Sequence, residues 1–159
     1  MAMNSPLESG DAMPQFNLDA DGSSRISSDK LRGQKAVIFF YPKDDTPGCT
    51  KEAIAFTKLR PAFEAVGTRI VGISADPAQR HDSFIAKHNL DVTLGSDPEL
   101  DTLKAFGVWV QKAMYGRKYF GIERSTFLID ADGEIVRIWR KVRVSGHVED
   151  VLKAAEALE

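Results

Sequence analysis

Two continuous apolar segments place the strongest limit on the fold of this chain. Residues 35–41 read KAVIFFY and residues 69–76 read RIVGISAD, and both are rich in β-branched and aromatic residues. A continuous apolar run of this length is typical of a strand buried on both faces, as in a parallel sheet covered by helices. The sequence therefore predicts an α/β protein.

Further strands and helices alternate along the chain. Segments 125–130 and 134–140 predict two more strands, joined as a hairpin by Asp132-Gly133. Apolar residues at helical spacing predict four helices, which begin near residues 46, 77, 98 and 147. Pro61 should kink or split the first of them. Residues 107–123 show no regular period and predict a long loop. This order favours a thioredoxin-like fold, with a mixed central sheet and helices on both faces.

The composition is that of an ordinary globular protein. The chain has 159 residues, of which 43% are hydrophobic and 28% charged, and its formal net charge is -2. This balance gives no basic surface for nucleic acid, and no apolar run is long enough to span a membrane. We expect a flexible tail over residues 1–12 and a single domain over residues 13–159. One cysteine and an N-terminus unlike a signal peptide favour a cytoplasmic protein without disulfides.

The single cysteine, Cys49, lies where the first buried strand gives way to a helix, in the segment YPKDDTPGCT. Thr46 is a good N-cap, Pro47 suits the first helical position, and Cys49 falls at the third. The positive end of the helix dipole stabilises a thiolate there, and the free N–H groups of Gly48 and Cys49 can bind an oxygen. Gly48 also leaves room for a substrate. The pattern predicts a reactive thiolate, whereas a lone cysteine without it is most often a buried structural residue.

Several thiol chemistries do not fit this sequence. Position 46 is a threonine, so the Cys-x-x-Cys motif of disulfide exchange is absent. A cysteine hydrolase needs a histidine base. His81, His88 and His147 lie elsewhere in the sequence, and the first two have a spacing that favours a solvated helix face. No phosphate-binding or dinucleotide motif is present. Attack on a peroxide needs only a thiolate, donors for the peroxide oxygens and a cation.

The segment YPKDDTPGCT resembles the Pro-x-x-x-Thr-x-x-Cys signature of peroxiredoxins, with Pro42, Thr46 and Cys49 at the matching positions. Together with FGVW, MYG and GIERSTFLID, it is similar to the bacterioferritin comigratory protein (PrxQ-like) subfamily over most of the chain. The resemblance implies a thiol-dependent peroxidase that needs no cofactor or metal. It also implies roles for four residues. Cys49 is the peroxidatic nucleophile, Pro42 shields the thiolate, Thr46 hydrogen-bonds the peroxide, and Arg124 supplies the cation and binds the substrate.

The chain departs from many members of this subfamily at the two positions where a second, resolving cysteine can stand. These positions are Ile54 and Ile85. A sulfenic acid on Cys49 would have no internal thiol to condense with. The resemblance therefore implies a one-cysteine peroxidase for hydrogen peroxide and organic hydroperoxides, resolved by thioredoxin, glutaredoxin or glutathione, and a monomer or weak dimer. The alternative is a peroxide sensor or redox-switched binding protein that uses Cys49 without efficient turnover.

Three acidic residues near the cysteine have less defined roles. Glu52 follows Cys49 by three positions, so it could orient the arginine or simply lie on the helix surface. Asp44 and Asp45 precede the helix and are expected to be solvated loop residues.

Overall fold

The computed structural model describes residues 7–158, which form a mixed α/β structure. The strands of this part of the chain are β1 (Asn17–Ala20), β2 (Ser24–Ser27), β3 (Lys35–Phe40), β4 (Thr68–Ser74), β5 (Thr93–Ser96), β6 (Trp109–Met114), β7 (Arg117–Ile122), β8 (Ser125–Ile129) and β9 (Ile135–Trp139). The helices are α1 (Ser28–Leu31), α2 (Pro47–Ala65), α3 (Ala78–His88), α4 (Asp101–Ala105) and α5 (His147–Ala157). None of these helices is long and apolar enough to cross a membrane.

Seven strands form one sheet, in the order β2-β1-β5-β4-β3-β8-β9. Strands β3, β4 and β5 run parallel, whereas β8 pairs antiparallel with both β3 and β9. The two apolar segments of the sequence are β3 and β4, which lie at the centre of the sheet and are buried along most of their length. The mixed sheet with a parallel centre confirms the predicted thioredoxin-like architecture, and the predicted β8–β9 hairpin is present.

The side chains of β3 alternate between two hydrophobic cores, one on each face of the sheet. Ala36, Ile38 and Phe40 belong to the core that α1 and α4 cover. Val37 and Phe39 belong to the core that α2, α3 and α5 cover. All five side chains are 0% exposed, and full burial of the larger ones contributes about 1.5–3 kcal/mol each. The strand is fixed on both faces, so the loop that leaves its C-terminal end starts from a rigid base.

Helix α2 carries the predicted buried face and continues through its internal proline. Ala53, Phe56 and Phe63 are buried, and Pro61 lies inside a single helix of 19 residues. Of the two outcomes predicted for Pro61, a kink or a split, the split is therefore wrong. Phe56 and Phe63 lie on either side of the proline and pack in the same core, which compensates for the one hydrogen bond that proline cannot donate. The left-handed Gly67 (φ 66°) follows the end of the helix, as expected for a stop.

Residues 107–123, predicted as a long loop, form the antiparallel hairpin β6–β7 instead. Tyr115 and Gly116 make a two-residue turn, and both have positive φ, 54° and 77°, as tight hairpin turns require. The hairpin forms a separate two-stranded sheet, and most of its side chains are exposed. Because neither face is buried along its length, the sequence lacks the apolar alternation that identifies a strand.

The short strands at one edge of the sheet are not predicted from the sequence. Strands β1, β2 and β5 have four residues each, too few for a period to stand out. The end of the predicted tail also bonds to the fold, because Gly10 N donates to Ile135 O (2.7 Å) and Asp11 O accepts from Ile135 N (2.8 Å). Residues 1–6 of that tail lie outside the described residues.

Candidate active site

The thiol of Cys49 lies in the first turn of α2, just beyond the C-terminal end of the central strand β3. Thr46 precedes the helix with an extended backbone (φ -96°, ψ 156°), and Pro47 occupies the first helical position. The first intrahelical hydrogen bond runs from Thr50 N to Thr46 O (2.8 Å). The N–H groups of Gly48 and Cys49 therefore have no carbonyl partner within the helix. The first turn thus brings a thiol and two backbone donors together, as predicted from the sequence.

Arg124 reaches this thiol from the neighbouring strand. It immediately precedes β8, whose first residue, Ser125, pairs with Phe40 at the end of β3. Arg124 Nη2 donates to the Cys49 sulfur across 3.3 Å, and Arg124 Nη1 donates to Glu52 Oε1 across 2.7 Å. One guanidinium therefore joins the thiol to a carboxylate one helical turn further along α2. Of the two positions left open for Glu52, the structure shows the one that orients the arginine.

Burial and neighbouring charge shift the pKa values of Glu52 and Arg124 in opposite directions. Glu52 is 0% exposed, and its Oε2 has no hydrogen-bond partner among the described residues. Burial raises the pKa of Glu52 to about 7, although the charge of Arg124 acts in the opposite direction. Burial also lowers the pKa of Arg124, but the charges of Glu52 and Cys49 raise it by more, so its net shift is upward. The guanidinium therefore stays charged, and a cation at this distance stabilises the thiolate.

The Thr46 hydroxyl bonds to the preceding loop rather than to the helix. Thr46 occupies the N-cap position, but its side chain makes no capping hydrogen bond, so the predicted capping role is wrong. Its Oγ1 donates to Lys43 O across 2.8 Å instead. Because this bond uses the only hydroxyl proton, the oxygen is left to accept hydrogen bonds. This oxygen can accept a hydrogen bond from the O–H group of a hydroperoxide.

Gly48 lies against the Arg124 side chain, whereas Pro42 lies at the surface. A Cβ atom at Gly48 would lie 3.1 Å from Arg124 Nη2, so the absence of a side chain leaves the space that the guanidinium fills. Pro42 is exposed at the start of the loop, and its shielding of the thiolate stays a prediction. The sulfur itself is enclosed, because Cys49 is only 1% exposed and packs in the core beneath α2.

Two of the expectations for polar residues near the site are wrong. Asp44 is 1% exposed rather than solvated, because its carboxylate bonds to the side chains of Tyr41 and His81. His81 is 0% exposed rather than part of a solvated helix face. Asp45, the next residue of the loop, is exposed as predicted. Sequence gives no signal that separates Asp44 from Asp45, since their different burial comes from a helix more than thirty residues further along the chain.

Within residues 7–158, no histidine hydrogen-bonds the Cys49 thiol. His147 Nε2 lies 2.8 Å from the buried Thr126 Oγ1, and burial lowers the pKa of His147 to about 4, so this side chain is neutral at neutral pH. The site accordingly lacks the histidine base that a cysteine hydrolase uses. The cation beside the sulfur is Arg124.

Two groups of carboxylate and imidazole side chains come close enough together to be considered as metal ligands. The first group consists of the buried residues Asp44, Asp76 and His81. Asp44 N donates to the Asp76 carboxylate, and the Asp44 carboxylate bonds to His81 Nδ1. In the second, at the β8–β9 turn, Asp130 Oδ1 accepts from the main-chain N–H groups of Asp132 and Glu134. Both groups act as hydrogen-bond partners that hold the backbone, so we assign no metal-binding role to either.

The positions of the expected resolving cysteine are filled by packing side chains. Ile54 and Ile85 are partly buried and pack against the same core as Cys49. Cys49 is a free cysteine. A sulfenic acid formed there has to meet a thiol that comes from another molecule.

Known proteins resemble the chain in sequence and in structure. The AhpC/TSA family model matches residues 9–138. Peroxiredoxin Bcp of Xanthomonas campestris is 44% identical over 140 residues, which cover 88% of each chain. Peroxiredoxin Bcp of Bacillus subtilis is 41% identical over 147 residues, which cover 92% of this chain and 94% of that protein.

The similarity extends to solved structures. A structure of the Xanthomonas campestris bacterioferritin comigratory protein, solved in work on its alkyl peroxide reduction activity, matches with a TM-score of 0.86 at 42% identity. The match covers 89% of this chain and 90% of that one. With a thiol, a threonine and an arginine gathered at the start of α2, the chain belongs to the AhpC/TSA family and is a peroxiredoxin of the Bcp (PrxQ) type.

Proposed function

We propose that this chain reduces hydrogen peroxide and organic hydroperoxides with the Cys49 thiolate, at the expense of an external thiol. The observation that carries the proposal is the 3.3 Å contact between Arg124 Nη2 and the sulfur. Nη1 of the same guanidinium donates to the buried Glu52 carboxylate. A cation fixed in this way stabilises the thiolate and the negative charge that develops on the leaving oxygen of a peroxide.

In the first half of the reaction, the thiolate attacks the terminal oxygen of ROOH. An S–O bond forms, the O–O bond breaks, and its electron pair leaves with RO⁻, which takes up a proton to give ROH. Sulfur is oxidised to the sulfenic acid and the peroxide is reduced to an alcohol or water. In this scheme Thr46 Oγ1, whose proton is donated to Lys43 O, accepts from the peroxide O–H, while Arg124 and the N–H groups of Gly48 and Cys49 donate to its oxygens.

In the second half, two external thiols restore the enzyme. The first attacks the sulfenic sulfur of Cys49, releases water and forms a mixed disulfide. The second attacks that disulfide, releases the Cys49 thiol and leaves as the oxidised donor. The net reaction converts ROOH and two thiols to ROH, water and one disulfide. The external donor is required because the residues at the expected resolving positions are Ile54 and Ile85.

The donor is thioredoxin, glutaredoxin with glutathione, or glutathione alone, and the enzyme acts as a monomer or weak dimer. These finer points rest on the resemblance to PrxQ-like proteins and on the single cysteine. A direct comparison of donors is therefore part of the test.

The test is peroxide consumption under steady-state conditions, with hydrogen peroxide and an organic hydroperoxide as substrates and each donor system in turn. Cys49→Ser serves as the blank. We expect many peroxides reduced per chain with at least one donor and none in the blank. If every donor gives only one peroxide per chain, the protein is a sensor rather than an enzyme. If Cys49→Ser consumes peroxide as fast as the wild type, the site assignment is wrong.

A further inference from the structure

A buried group of polar side chains lies directly behind the loop that leads to the active-site helix. Asp44 Oδ1 accepts from Tyr41 Oη (2.6 Å), and Asp44 Oδ2 lies 2.6 Å from His81 Nδ1. The main-chain N of Asp44 donates to Asp76 Oδ2 across 2.8 Å. We call these four residues, Tyr41, Asp44, Asp76 and His81, the Asp44 network. Each is at most 9% exposed.

The acceptor atoms show which atoms of the Asp44 network carry protons. His81 Nε2 lies 2.9 Å from Gly95 O, and a carbonyl oxygen can only accept, so Nε2 carries a proton. A second proton lies between His81 Nδ1 and the Asp44 carboxylate, and the pair is neutral as a whole wherever that proton sits. Burial, followed by the charge of Asp44, raises the pKa of Tyr41 well above its usual value, so its hydroxyl keeps its proton and donates. Every polar side-chain atom of Asp44 is therefore satisfied.

The network controls one peptide unit that also touches the catalytic threonine. The peptide between Lys43 and Asp44 has its N–H bonded to Asp76 and its C=O bonded to Thr46 Oγ1. Because a peptide is planar, fixing the direction of the N–H fixes the direction of the C=O. The carbonyl in turn takes the hydroxyl proton of Thr46, which leaves that oxygen as an acceptor. The orientation of the Thr46 hydroxyl thus depends on side chains that do not touch the thiol.

We propose that Tyr41, Asp44, Asp76 and His81 are positioning residues for peroxide reduction, which hold the Lys43–Asp44 peptide so that Thr46 Oγ1 accepts from the hydroperoxide. The inference rests on the proposed peroxidase function. A purely structural role would explain the burial of the network. It would not explain why the network ends on the peptide whose carbonyl receives the Thr46 proton.

The neighbouring aspartate supplies a matched control. Asp45 belongs to the same loop, but it is exposed and bonds to Lys87 (2.7 Å) and His88 (2.8 Å) at the surface. Exposed ion pairs of this kind contribute little. Asp45 also has a positive φ of 60°, a conformation that asparagine tolerates well. Asp45→Asn is therefore the control, and it should leave peroxide reduction close to wild type.

Two substitutions at position 44 separate hydrogen bonding from charge. Asp44→Ala removes both acceptor oxygens and frees the loop. Asp44→Asn removes the charge but can keep the bonds, because its amide oxygen accepts from Tyr41 and its NH₂ donates to the unprotonated Nδ1 of a neutral His81. We expect Asp44→Ala to lower kcat/KM for peroxide by roughly 10²-fold, the order of loss that a small misplacement of a reacting group causes. Asp44→Asn should restore most of that loss.

Three rates are measured on each variant: kcat/KM for peroxide, kcat/KM for the thiol donor, and alkylation of Cys49 by iodoacetamide. Only peroxide reduction needs Thr46, so the other two rates should stay near wild type in Asp44→Ala. A smaller folded fraction would instead lower all three by one factor. If Asp44→Ala does not fold, Tyr41→Phe, which removes one donor to Asp44, should show a smaller loss confined to peroxide.

Three results would overturn the inference. One is a wild-type peroxide constant in the folded Asp44→Ala or Tyr41→Phe protein, and a second is an equal fall in all three rates. A loss in Asp44→Asn as large as in Asp44→Ala would assign the effect to charge and also reject positioning by hydrogen bonds. These outcomes differ from a failure of the proposed function, in which the wild type itself turns over no peroxide.

Discussion

Arg124 is bonded to Glu52 across 2.7 Å through one carboxylate oxygen, while the other oxygen of Glu52 is buried and has no partner among residues 7–158. The carboxylate thus holds the Arg124 guanidinium in place at a cost to its own solvation. Burying an ionised group with one oxygen unsatisfied is unfavourable. A residue retained in this state trades stability for the orientation of its partner, and this trade can be measured.

The first prediction concerns stability against pH in Glu52→Gln. The carboxyl of Glu52 ionises near its ordinary value of 4.5 in the unfolded chain but with a pKa of about 7 in the folded one. The folded state therefore holds the proton over this range, so wild-type stability falls as the pH rises from 4.5 to above 7. The fall amounts to roughly 3 kcal/mol. Urea unfolding across this range should show it in the wild type and not in Glu52→Gln. Parallel pH curves for the two proteins would contradict the prediction.

The second prediction separates the catalytic role of Arg124 from its structural one. Arg124→Met should slow peroxide reduction by about 10²–10³-fold, as expected for loss of a transition-state donor. It also leaves Glu52 without its cation, so the carboxyl keeps its proton to higher pH, and the stability lost relative to wild type should grow by about 1.4 kcal/mol for each pH unit above 7. The double variant Arg124→Met/Glu52→Gln should recover the stability but not the rate. Arg117→Met, at an exposed position of the β6–β7 hairpin, is the matched control. Recovery of both properties in the double variant would refute the assignment.

The third prediction uses the space at Gly48. A Cβ at this position would lie 3.1 Å from Arg124 Nη2, so Gly48→Ala should push the guanidinium away from the sulfur. The rate of peroxide reduction should fall. Stability should rise slightly, since alanine is a better helix former than glycine by up to about 1 kcal/mol. Stopped-flow oxidation and thermal unfolding of the same preparation check both parts, and an unchanged rate would show that Arg124 adapts without cost.

The fourth prediction concerns the Thr46 hydroxyl. Thr46→Ser keeps the donor to Lys43 O and the acceptor for the peroxide, whereas Thr46→Val removes both. Thr46→Val should therefore lose most of the peroxide rate and about 1 kcal/mol of stability, the usual value of one hydrogen bond. Thr46→Ser should remain close to wild type in both respects. Equal activity in the two variants would exclude the hydroxyl from the reaction.

The fifth prediction follows from the single sulfur. One equivalent of peroxide without a donor should give a chain heavier by one oxygen, and excess peroxide should add a second and a third. Glutathione added after the first step should give a mixed disulfide on Cys49. Intact-mass spectrometry distinguishes these species, with Cys49→Ser as the control. A sulfenic form that never yields a thiol adduct would argue against turnover.

The sequence predicts the parts of the fold that are buried on a regular period. Strands β3 and β4 stand out because both faces of each are covered. The β6–β7 hairpin does not stand out, since Met114, Tyr115 and Phe120 are exposed and no core imposes an alternation on it. Short edge strands carry too few residues for any pattern. A regular period of apolar residues thus indicates a buried element, and strands that are exposed or very short cannot be predicted from it.

Some residues of the site can be predicted from the local sequence, whereas others depend on contacts with distant parts of the chain. Pro47, Gly48 and Cys49 can be placed from sequence because a helix start is a local event. Arg124 is far away in the chain, and only the resemblance to a family singled it out. The burial of Asp44 depends on contacts with His81 and Asp76, which come from other elements. No property of the loop itself distinguishes Asp44 from Asp45.

The enclosure of the Cys49 sulfur has a kinetic consequence. With 1% of the residue exposed, the approach to the sulfur admits a small peroxide oxygen far more readily than the thiol of a larger donor, which must come in line with the S–O bond. At equal concentrations of peroxide and donor, oxidation should then outpace reduction, so that most chains carry the sulfenic acid at steady state. The throughput of peroxide is in that case set by the concentration of donor rather than of peroxide. Occupancy of the oxidised form would then track the ratio of the two reagents.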